Sequence, residues 1–164
     1  MMRGILLAAA ATILATPSLA LAALAPSPLL GTWALDLTSM SIPPEVRPAS
    51  VTLTLADFST GEWQVKYVIV GKDGGVRTMM SRDRLDGTSV AIIGDQMEAD
   101  SVALSQPASN VLVMGLAKQG RPGSVRIYTV AADARSMTES AANVGDDGKP
   151  FVRTFRWTRT VPRN

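Results

Sequence analysis

Histidine and cysteine are both absent from this chain of 164 residues. Without histidine it loses the side chain that most often serves as general base and metal ligand at neutral pH. Without either residue, zinc, copper and haem-type ligation has no donors to build on. A Ser-His-Asp triad is impossible, and no Ser-x-x-Lys spacing offers a substitute. Neither Gly-x-x-x-x-Gly-Lys nor Gly-x-Gly-x-x-Gly occurs, so the phosphate-cradling loops are missing too. Lack of cysteine also removes disulfides and the thiol that a lipoprotein anchor requires. Aromatics are sparse, at three Trp, two Tyr and three Phe, and 16 basic residues nearly balance 14 acidic ones. A net charge of +2 makes no electrostatic case for nucleic acid.

What is present begins with a leader. Arg3 supplies a positive start, and Gly4 to Ala15 is mostly apolar over about the length of a signal-peptide core. Pro17 interrupts any window long enough to span a bilayer, which needs roughly 20 apolar residues. Small residues then stand at cleavage spacing, Ala20-Leu21-Ala22, with Ala23-Leu24-Ala25 as a second option. We read residues 1–22 as a cleaved signal peptide, with an uncleaved anchor as the alternative. Residues 23–164 form a single domain, periplasmic or secreted, with no membrane span after cleavage. Loss of Arg3 leaves the mature chain one unit less positive.

The mature region alternates with period two. In Ser50–Ala56, Val51, Leu53 and Leu55 share one face and Thr52 and Thr54 the other, as in a half-buried strand. Glu62–Val70 repeats the device. Further candidates are Leu30–Leu37, Val76–Arg82, Ser89–Ile93, Ser101–Ser105, Asn110–Lys118, Ser124–Ala131, Ser136–Asn143 and Phe151–Thr160. Gly- and Asp-rich turns such as Asp73-Gly74-Gly75 and Asp147-Gly148 separate them. Connections this short suit antiparallel hairpins rather than parallel crossovers. No stretch carries a convincing helical stripe. Ile42–Ala49, with Pro43, Pro44 and Pro48, reads as a loop over one end of the sheet. The expected fold is all-β, an antiparallel up-and-down meander of about 8–10 strands closed into a barrel, with a β-sandwich as the alternative.

Gly31-Thr32-Trp33 on the first strand resembles the lipocalin and calycin signature, and the chain resembles small exported lipocalin-like bacterial proteins. Those open with Gly-Thr-Trp-x-Leu-Asp, matched by Gly31–Asp36, and close with a Gly-Lys-Pro hairpin, matched by Gly148-Lys149-Pro150. The resemblance implies that Trp33 closes one end of the barrel while an arginine of the last strand packs across its ring. Arg153, in the run Phe151 to Trp157, is the arginine that we assign to this role.

Several side chains remain as candidates. Glu139 shares a strand face with Met137 and Ala141, which aims a carboxylate where apolar groups point. A two-residue Asp-Gly turn pairs it with Arg156. A three-residue turn sets it opposite Phe155 and diagonal to Arg153 and Trp157, and this register is favoured because it places Met137 among Phe155 and Trp157. An Arg–Glu pair at the barrel end or lumen is expected. Trp63, Tyr67, Met80, Phe155 and Trp157 are the candidate lumen lining, whether the barrel is hollow or filled. Asp95, Glu98 and Asp100 crowd one turn but lack calcium-loop spacing, so no metal is assigned. The alternating charges of Ser81 to Asp86 read as rim ion pairs of small energetic weight. No cofactor is expected. Three functions remain: a binding module for a small apolar or amphipathic molecule, a packed structural or adaptor barrel with a protein partner, and a hydrolase built on paired carboxylates. The first is preferred.

Overall fold

The computed structural model describes residues 26–58 and 61–160; the leader and its cleavage sites lie outside them. Eleven strands form one sheet: β1 (Gly31–Leu35), β2 (Ser50–Phe58), β3 (Glu62–Val70), β4 (Val76–Arg84), β5 (Asp86–Ala91), β6 (Ile93–Gly94), β7 (Ser101–Ala108), β8 (Val111–Lys118), β9 (Arg121–Val130), β10 (Ser136–Val144) and β11 (Pro150–Arg159). Every pairing is antiparallel, and the order β5-β7-β8-β9-β10-β11-β1-β2-β3-β4-β6 is a meander bent round until its first and last strands, β1 and β11, pair. Trp33 stands opposite Arg159, and Leu35 opposite Trp157.

The seam is closed by one segment that changes partners. Strand β5 pairs with β7, from Asp86 opposite Ser105 to Ala91 opposite Ser101. Two residues later β6 pairs with β4, Gly94 opposite Met79 and Ile93 opposite Met80. Ile92, at the switch, is buried, and its N–H donates to Asp100 O at 2.8 Å. Ser89–Ile93, read from sequence as one strand, is therefore split between the two sides of the seam. That split turns the ten segments named from sequence into eleven strands. A nearly closed barrel leaves few unpaired edges, which is how all-β chains limit edge-to-edge association. A single continuous sheet excludes the sandwich.

Alternation holds along the strands that form the core: Val51, Leu53 and Leu55 on β2, and Trp63, Val65 and Tyr67 on β3, are buried. The proline-rich segment after β1 carries two short 3-10 turns, Leu37–Ser39 and Pro44–Val46. Lys72, in the β3–β4 turn, donates its Nζ to Pro44 O at 2.7 Å, so this segment is tied to the neighbouring hairpin end.

Candidate functional site

The barrel has a packed end and a hollow one. At the packed end Trp33 is fully buried and donates its Nε1–H to Leu29 O at 2.9 Å. The guanidinium carbon of Arg159 sits 4.2 Å from the Trp33 ring centroid. Its nitrogens donate to Ala134 O at 2.7 Å, Leu30 O at 2.6 Å and Pro28 O. One cation thus ties three chain segments together across the indole, gaining cation–π attraction while satisfying its donors. Arg153, the arginine assigned to this role from sequence, lies near the other end, 4.9 Å from the Phe151 ring centroid and beside the cavity. The correction follows from register: the residue facing Trp33 across the β1–β11 ladder is Arg159, six positions on.

The other half of the barrel holds a cavity of about 240 Å³. Val51, Val65, Ile69, Met79, Val102 and Leu116 give it apolar walls, and Met40, from the segment after β1, reaches it from the loop side. Tyr67, Phe155 and Trp157 also line it, and Tyr67 and Trp157 meet edge to face at 6.2 Å.

A polar cluster stands in this apolar wall. Hairpin β10–β11 places Glu139 opposite Phe155, and hairpin β9–β10 places it opposite Tyr128, with Arg126 opposite Ala141. Alternation then turns Glu139, Tyr128 and Arg126 inward together. Glu139 is only 2% exposed. Its Oε2 accepts from Trp157 Nε1 at 2.9 Å, and its Oε1 lies 3.5 Å from Arg126 Nη1 but accepts no hydrogen bond among the described residues. Arg126 Nη2 is bonded to Glu98, whose side chain is half exposed at the cavity edge. The Tyr67 and Tyr128 hydroxyls are hydrogen-bonded to each other, and Tyr128 Oη reaches Met114 Sδ at 4.0 Å. Burial raises both phenols above their ordinary range, so they stay protonated. Burial likewise pushes the Glu139 carboxyl up, with Arg126, the Trp157 N–H and the Tyr128 hydroxyl acting in the opposite direction.

In fold, the chain is a nearly closed antiparallel up-and-down β-barrel. It is similar to solved structures of the fluorescent protein UnaG. An asparagine-to-alanine variant of UnaG matches with a TM-score of 0.54 at 14% identity, over 82% of this chain and 98% of that one. Wild-type UnaG matches at 0.51 and 13% identity, over 80% and 96%. At such identities the likeness is one of architecture. No family model and no curated protein matches the sequence.

The remaining sequence candidates divide. Trp63 is buried but packs in the core away from the cavity lining. Met80 borders the cavity, yet pairing with β3 sends its side chain to the outer face, where Gln64 Nε2 lies 3.0 Å from its sulfur. Met79, opposite inward-facing Tyr67, is the methionine on the inner face. Glu139 does meet an arginine, but its partner is Arg126 on β9 instead of Arg153 or Arg156 on β11. The Ser81–Asp86 run is not simply a rim. Arg82 and Arg84 face outward, while Asp83 is fully buried and accepts from Ser81 Oγ at 2.6 Å. In the Asp95–Asp100 turn, Asp95 pairs with Arg77, Glu98 with Arg126, and Asp100 accepts from Gln119 N at 2.7 Å. Among the described residues no three acidic side chains gather as a metal site would require.

Proposed function

We propose that this protein is an exported, non-enzymatic binding module that holds a small apolar or amphipathic molecule in its lumen. One observation carries the reading: a largely apolar cavity of about 240 Å³ with the Arg126–Glu139–Trp157 cluster set in its wall. Ligand sites are mostly apolar with a few convergent polar groups that fix orientation. The Gly4–Ala15 leader core and the cleavage spacing after it support a periplasmic or secreted location. An adaptor with a packed interior would not hold this hollow. Glu98 and Glu139 share a cleft, and both are ion-paired to Arg126.

Native mass spectrometry of the protein purified from its own host tests the reading, alongside titration with anilinonaphthalene sulfonate. A co-purified small molecule, or probe binding that changes the emission of Trp157, is the expected result. A bare protein that also fails to take up the probe would refute the reading.

A further inference from the structure

The polar groups in the cavity wall are unevenly matched. Arg126 is the inner cation, and two carboxylates already engage it: Glu98 at Nη2 and Glu139 at Nη1. Its Nε faces Ser124 Oγ at 3.5 Å. Glu139 in turn has one oxygen satisfied by the Trp157 indole and a second, Oε1, that accepts no hydrogen bond among the described residues. A buried acceptor left without a donor is costly, and native structures rarely tolerate one without a use. Arg126 Nη1, at 3.5 Å, is too far to fill the role. The lining includes apolar Met114 and Val102, and the Tyr128 hydroxyl, on the strand facing Glu139, is engaged with Tyr67 and Met114.

Building on the ligand-binding reading above, we propose that Glu139 Oε1 is the acceptor for the ligand's head group. The ligand is then an apolar body ending in a hydrogen-bond donor, a hydroxyl or an ammonium, and molecules headed by a carboxylate are rejected. The donor takes the place beside Oε1 where Arg126 Nη1 stands, and Glu98 keeps hold of the displaced guanidinium through Nη2. A carboxylate head would instead bring a third anion to Arg126 and leave Oε1 still without a donor; the other cation of the lining, Arg153, is exposed and lies over the Phe151 ring. Like charges brought together in a desolvated site discriminate strongly between otherwise equal ligands.

Three ligands with the same alkyl chain separate the possibilities: decanol, decylamine and decanoate, titrated into the purified protein by calorimetry or by Trp157 emission. Decanol and decylamine are expected to bind at least about tenfold more tightly than decanoate. In Glu139→Gln, decylamine should weaken by about tenfold or more while decanoate gains. Glu98→Gln, at an exposed side chain that leaves the core intact, should raise decanoate affinity by freeing one side of Arg126. Decanoate binding as tightly as decanol to the wild-type protein overturns the head-group assignment and leaves the binding reading standing. A head-group preference that survives Glu139→Gln unchanged removes the role from Glu139. Uptake of anilinonaphthalene sulfonate with none of the three alkyl ligands bound also overturns the proposal, and failure of the probe as well takes the binding reading with it. If Glu139→Gln does not fold, the wild-type series and Glu98→Gln still decide.

Discussion

Asp83 offers the sharpest quantitative check on the barrel's interior. It lies on β4 opposite Trp63, fully buried, with Oδ2 bonded to Ser81 Oγ and Oδ1 without a partner among the described residues. Burial pushes its carboxyl up from 3.8 to about 6, and the Ser81 hydroxyl only partly offsets this. Folding therefore favours the protonated acid. Its contribution is fully present below the unfolded value near 3.8 and is lost as pH rises from there through about 6. A shift of roughly two units corresponds to about 3 kcal/mol of stability lost across that window. Asp83→Asn abolishes the titration. The Asn side chain keeps an acceptor for Ser81 but buries amide hydrogens without acceptors, so the variant should be less stable than wild type at about pH 4 by about 1–3 kcal/mol. Wild type then falls toward the variant and meets or crosses it by about pH 8. Urea unfolding of both proteins between about pH 4 and pH 8, at constant m-value, reads the difference directly. Taking the difference cancels other titrations, including that of Glu139, whose raised value acts in the same direction. Asp95, held down at about 2 by Arg77, titrates below the window. If the two stability curves run parallel over the whole range, Asp83 is not the desolvated acid that the structure implies.

Two further substitutions probe how the barrel closes. Arg159→Lys keeps the charge but cannot lie over Trp33 and donate to three carbonyls at once. It should lower unfolding stability by about 2–3 kcal/mol in urea and shift Trp33 emission to the red, and an unchanged midpoint would remove Arg159 from the closure. Gly94 has φ of +92° and faces the Thr78 carbonyl so closely that a Cβ would overlap it. Gly94→Ala should therefore cost about 2–3 kcal/mol. It should also speed amide exchange of Asp95 N, which is bonded to Thr78 O at 2.8 Å, well before the core opens. Exchange of Asp95 at the wild-type rate would show that the seam does not depend on this approach.

How much of this was legible in the sequence depends on whether one strand or two had to be read at once. Period-two alternation located the strands because each records its own burial, as Val51, Leu53 and Leu55 do. The carboxylate of Glu139 was legible for the same reason: Met137 and Ala141 flank it on the inner face of one strand. The identity of its partner was not. On β9, hydrophobicity alone sends Val125 and Ile127 inward, yet they are 47% and 42% exposed, while Ser124, Tyr128 and Val130 are buried and Arg126 turns in with them. What decides β9 is its hairpin with β10, whose register sets Arg126 against Ala141 and Tyr128 against Glu139. An inward acid on β10 thus requires whatever stands opposite on β9 to face inward as well. That signal exists in the sequence, but only once the register across the turn after Val130 is known. The same one-residue sensitivity moved the inner methionine from Met80 to Met79 and hid Asp83 among alternating charges. Arg159 replaced Arg153 for a related reason, since the β1–β11 ladder joins the chain's two ends and no turn between them fixes the register in advance. Local pattern therefore yields the wall of a barrel like this one. The contents of its lumen are set by pairings between strands, and that is why the Arg126–Glu139 pair is the feature on which any account of its ligand has to rest.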